Sequence, residues 1–133
     1  MKNLFFVAFV LVGTFLLSMT VQSCVSQNEE DLYGIANPSD CDTSKAKFAA
    51  FVSPLMTSQC ATANCHSVAR QASGINLGNY TAIKTYISSS KAVFLGAIKH
   101  SPAFSSMPQN ASKLPACDII KLETWINAGL LNN

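Results

Sequence analysis

Apolar residues recur every three or four positions in several stretches of the chain, and no sustained alternation of apolar and polar positions occurs. Phe48, Phe51, Val52 and Leu55 fall at i, i+3, i+4 and i+7, which makes one apolar helix face. Thr43 and Ser44 are candidate N-caps, so a helix is predicted from there to about Ser58. Pro54 lies inside this pattern and is expected to kink or shorten it. Asn79 can cap a second helix reaching Ile87, with Tyr80, Ile83 and Ile87 along one side. Lys91 to Lys99 read as a third, short helix. Pro115 suits the first turn of a final helix and Gly129 its stop. Within that helix Ile119, Leu122 and Ile126 share a face, with Trp125 beside them. Residues 67–78 and 101–114 read as loops. The expected domain is all-α, with no internal repeat.

The first 23 residues follow a different pattern. Lys2 and Asn3 precede an apolar run from Leu4 to Val12, resumed by Phe15-Leu16-Leu17 after Gly13 and Thr14. A short positive start, such a run and small residues before a cut site read as an export signal. The run is interrupted and short of the roughly 20 apolar residues a membrane span needs. Val21-Gln22-Ser23-Cys24 resembles the bacterial lipobox, with Gln22 where a small residue is more usual. That resemblance implies lipidation of Cys24, cleavage before it and an anchor of several acyl chains, which holds where one chain would not. Residues 24–40 are polar, with Glu29-Glu30-Asp31 and Asn37-Pro38-Ser39-Asp40, and read as a tether. The acidic cluster resembles the surface-export signal of Bacteroidota lipoproteins. The expected organisation is a signal peptide at 1–23, a tether at 24–40 and one domain at 41–133. The expected location is a membrane, the outer membrane for such an exported lipoprotein, with the domain facing periplasm or cell surface.

Composition changes once the leader is set aside. Apolar residues make up 49% of the whole chain; the first 23 residues hold 15 of the 65, leaving an ordinary share in the rest. The remainder carries eight Lys and Arg against seven Asp and Glu, and no basic stripe, which argues against a nucleic-acid binder. About 93 residues in four short helices bury too little to be comfortable alone, so cysteines or a cofactor should add stability.

Five cysteines cannot all pair. With Cys24 assigned to lipid, four remain in a compartment that permits disulfides. Cys60-Ala-Thr-Ala-Asn-Cys65-His66 follows the first helix. A Cys-x-x-Cys-His run reads as covalent c-type haem attachment: two thiols add to the porphyrin vinyl groups, and the adjacent imidazole becomes the proximal iron ligand. Here the gap is four residues instead of two, so the extra two must loop out. Met107-Pro108 lies 41 residues after His66, in a loop ahead of the last helix. A thioether there suits the distal iron position, and Met56, on the first helix, is the better core candidate. His100 is the rival distal ligand; it could instead be exposed or bond a haem propionate.

In order, these features resemble a class I cytochrome c domain. More closely, they are similar to small c-type cytochrome-like lipoproteins of Bacteroidota. The matching stretches are Cys41-Asp42-Thr43, Pro54-Leu55, Cys60-Ala61-Thr62 with Cys65-His66-Ser67, and Gly74-Ile75-Asn76-Leu77 with Tyr80. They continue through Gly96-Ala97-Ile98 with His100, Met107-Pro108, Leu114, Cys117, and Trp125-Ile126 with Ala128-Gly129. The resemblance covers residues 41–133. It implies a cytochrome c-like fold with one haem c on Cys60 and Cys65, and His66 and Met107 as axial ligands. It also implies crossing first and last helices, and so a Cys41–Cys117 disulfide.

Other readings stay open on the residues alone. The four cysteines allow three pairings, among them Cys60 with Cys65 or with Cys117 and no haem. Cys60, Cys65 and His66 are three soft ligands where zinc prefers four. No nucleophile, base and acid stand out as a set, so an enzyme is not expected. Asn110-Ala111-Ser112 matches a glycosylation sequon and is taken as chance. The expected function is single-electron transfer between redox protein partners in the envelope. The alternative is a haem-free, disulfide-stapled binding or structural module.

Overall fold

The computed structural model describes residues 40–133. The expected signal peptide, lipid site Cys24 and tether up to residue 39 lie outside the described residues. The described chain is helical with no strand.

The first helix, α1, consists of three consecutive stretches: Phe48–Val52 and Met56–Cys60 with π-type hydrogen bonding, and Ser53–Leu55 between them. The joints at Ser53 and Met56 keep right-handed helical backbone, so the three run on as one. The helix begins later than Thr43 or Ser44 would set it. The Ser44 N–H is taken by Asp42 Oδ1 at 2.9 Å, and Lys47 is extended at φ −117°. This local side-chain bond competes with helix formation. The first N–H groups of α1 are instead capped from the far end of the chain. Phe48 N donates to Asn133 Oδ1 and Ala49 N to the Asn133 carbonyl, at 2.9 and 2.8 Å. Pro54 does not end the helix. It sits just after a π-type turn, whose wider path relieves the clash of the ring with the carbonyl four residues back.

Val52 and Met56 are fully buried, and Cys60 continues that row at the same spacing of four, packed against the core. Phe48, Phe51 and Leu55 flank the row, half-buried. Met56 thus fills core, as its place on a helix suggests.

The second and third predicted helices are one element, α2, Tyr80–Ile98. Asn79 caps it as expected, its Oδ1 accepting from Ala82 N at 3.0 Å. The expected break survives as a kink: Ser90 leaves helical geometry at φ −136° and ψ 34°. One residue earlier Ser89 Oγ donates back to the carbonyls of Thr85 and Tyr86, a bond that favours bending. Ile83 and Ile87 before the kink, and Phe94 and Ile98 after it, all enter one core.

The last helix, α3, spans Ala116–Asn127, with Pro115 at the N-cap just outside it and Gly129 at φ +95° after it. Ile119, Leu122, Trp125 and Ile126 are its buried face, as the spacing predicts. Trp125 is wholly buried, and its Nε1 donates to the Leu131 carbonyl at 2.8 Å. Helices α1 and α3 are tied together. Phe48 lies 5.9 Å from the Trp125 ring, Lys121 Nζ sits 5.2 Å over the Phe51 ring, and Cys41 is joined to Cys117 with 5.4 Å between their Cα atoms.

Candidate functional site

Cys60 ends α1 and opens the loop toward α2. The Cys60 carbonyl accepts from His66 N at 3.1 Å, and Cys65 N donates to Thr62 O at 3.0 Å. These bonds close the Cys60–His66 segment into a compact turn with Ala63 and Asn64 exposed. The longer gap is therefore absorbed by a bulge, and the two ends of the run stay together.

His66 is half-buried and held on three sides. Its N–H reaches Cys60, its carbonyl accepts from Leu77 N at 2.8 Å, and its Nδ1 bonds the Ala72 carbonyl at 3.1 Å. A carbonyl only accepts, so Nδ1 carries a proton, and in the neutral ring the lone pair sits on Nε2. Such a bond is what orients an imidazole that ligates a metal. Ala72 is placed by a tight turn. Gln71, Ser73 and Gly74 all adopt positive φ, and Ala72 N donates to Cys65 O at 3.0 Å. No residue type in the sequence marks the carbonyl that orients His66. Any residue offers the same carbonyl, so the only local signal was Gly74 marking a turn.

Cys60 and Cys65 are both thiols, and Cys41–Cys117 is the disulfide. Burial, with a smaller contribution from Cys65 close by, pushes the Cys60 thiol up from its ordinary value near 9 to about 11. The folded chain thus holds this proton more tightly than the unfolded chain. The resulting stability is fully present below pH 9 and is lost as pH rises toward 11. Chemical denaturation of the haem-free protein on either side of that window should show wild type losing more stability than Cys60→Ala.

Met107 lies half-buried in the loop after α2, across a cis peptide bond from Pro108. The loop is fastened to the end of α2. Ser101 N donates to Gly96 O at 2.9 Å, Met107 N to Ala97 O at 3.0 Å, and the Phe104 ring packs closely against Gly96. A Cβ at Gly96 would sit 2.2 Å from that ring, so only glycine admits this approach. His100 is half-buried, and its Nε2 bonds the Met107 carbonyl at 3.1 Å. That ring nitrogen is therefore occupied.

The structure brings Cys60, Cys65 and His66 together in one loop and Met107 and His100 together in another. The first loop leads into α2 and the second leaves it. Between Gly74–Asn76 and the Ala82, Thr85, Tyr86 and Ser89 side of α2 lies an open groove of about 370 Å³, beside the turn that carries Ala72. Among the described residues, no three His, Cys, Asp or Glu side chains gather as a group able to hold a metal ion, which gives the zinc reading no support. No described helix is long and apolar enough to cross a membrane. Comparison with protein-family models, with curated proteins and with solved structures returned no match to this chain.

Proposed function

We propose that the chain is a membrane-tethered, mono-haem c-type cytochrome that passes single electrons between redox protein partners in the cell envelope. The observation that carries this reading is the His66 Nδ1 bond to the Ala72 carbonyl. It fixes the tautomer and the ring in the form an iron-ligating imidazole needs. The donor set fits haem c. Cys60 and Cys65 are free thiols at the two ends of a closed turn, and His66 follows the second directly. When bound, haem supplies reversible one-electron chemistry at its iron. Cys60 and Cys65 would hold it through thioether links, and His66 Nε2 and the soft Met107 sulfur would ligate its iron. With His66 and Met107 both serving the iron, no substrate would bind it, so the proposed role is carriage of electrons and not catalysis. The tether and the Cys24 lipid site support a membrane-bound carrier, and the near-neutral domain implies weak electrostatic steering toward its partners.

The test is to express the full chain with a cytochrome c maturation system and record its visible spectrum. The expected product shows sharp Soret and α bands on reduction. A colourless product would favour the haem-free, disulfide-stapled module instead.

A further inference from the structure

His100 stands where glycine is the usual residue. Helix α2 ends at Ile98, Lys99 caps it, and His100 follows with φ +55°. That left-handed position after a helix favours glycine, and sometimes asparagine, because a Cβ is strained there. A histidine at this place makes the fold less stable than glycine would, unless its side chain does something in return. Its imidazole reaches across the following loop, and Nε2 donates to the Met107 carbonyl at 3.1 Å. The Met107 N–H donates in turn to Ala97 O at 3.0 Å. Both peptide groups flanking the Met107 Cα are thereby fixed to the end of α2. The side chain of Met107 takes no part in this clamp.

We infer that His100 is a positioning residue that fixes the backbone of Met107, so that the thioether is presented as a distal iron ligand. This rests on the haem reading given above. His100 acts here through Met107 and is not itself the ligand.

The two costs can be separated by His100→Gly. Glycine suits the left-handed backbone and removes only the imidazole, so the fold should be as stable as wild type or more so. His100→Gln keeps an N–H donor of similar reach. Loss of one hydrogen bond of ordinary strength changes an opening equilibrium by about tenfold. In the haem-free full chain, His100→Gly should therefore raise hydrogen exchange at the Met107 amide about tenfold with no fall in melting temperature. In the haem-loaded, reduced chain it should raise the rate of carbon monoxide binding about tenfold, with His100→Gln close to wild type. Unchanged exchange and unchanged carbon monoxide binding would overturn the inference while leaving the haem reading intact. So would a fall in melting temperature that accompanies the faster binding, since it would mark a merely structural role. Fast carbon monoxide binding already in wild type would overturn it by removing Met107 as ligand. A wild-type chain that takes up no haem under maturation would overturn both readings.

Discussion

Replacing Cys41 and Cys117 with serine is expected to lower the stability of the haem-free domain by about 4 kcal/mol, the largest single loss of stability anticipated here. The bond joins positions 76 residues apart. It therefore encloses most of the domain and removes many extended conformations from the unfolded chain. For a domain near 90 residues such a loss lowers the melting temperature by about 20 °C. The physical setting makes the effect visible. Three helices with one core carry little excess stability at this size. The disulfide also holds the start of the domain, ahead of α1, against the first turn of α3, while the Phe48 and Trp125 rings meet near the other end of α3. Thermal or denaturant unfolding of the double variant against wild type checks this. A loss under 1 kcal/mol would mean that the two cysteines do not constrain the chain in solution.

His66→Ala is expected to leave the fold standing and to abolish normal haem ligation. In the haem-free chain the substitution removes one side-chain hydrogen bond on a half-buried residue, worth about 1 kcal/mol. In the matured chain it removes the proposed proximal ligand itself. Disturbing only the partner of a metal-bound histidine already costs tenfold to a hundredfold in metal affinity or activity. Loss of the ring should cost more, so haem-loaded protein should fall by at least tenfold and the remainder should lack a low-spin spectrum. Melting temperature and visible spectrum measured on one preparation separate the two effects. A large drop in melting temperature of the haem-free form, with an unchanged spectrum in the loaded form, would make His66 a structural residue only.

The parts of this molecule that could be read from the sequence are those whose causes are local. The apolar spacing in α3 gives its buried face directly, because Ile119, Leu122 and Ile126 answer to helical periodicity alone. Asn79 is a readable cap because its partner, Ala82, lies three residues on. The start of α1 was not readable in the same way. Its cap is Asn133, 85 residues from Phe48. Only the folded chain brings that pair together, and Asp42 meanwhile draws Ser44 into a turn. The break between the second and third predicted helices was right in place and wrong in degree. Ser90 leaves helical geometry, but continuous burial of Ile87 and Phe94 on either side keeps one helix.

The candidate site divides along the same line. Cys60, Cys65, His66 and Met107 stand out by chemical type. The groups that hold them do not, since they are backbone carbonyls at Ala72, Cys60 and Ala97. His100 was visible as a rival ligand; its bond to the Met107 carbonyl depends on how the loop folds back on α2. The Cys41–Cys117 pairing came from the resemblance to crossing cytochrome helices, and the structure contains that bond.

Covalent attachment of haem to Cys60 and Cys65 decides most directly whether the chain is a c-type cytochrome. Trypsin cleaves after Lys47 and Arg70 and leaves both cysteines in the peptide 48–70. Mass spectrometry of that peptide, from full chain expressed with the maturation system, is predicted to show the mass of one haem added through both thiols. The same peptide without haem, carrying two free thiols or an internal disulfide, would contradict it.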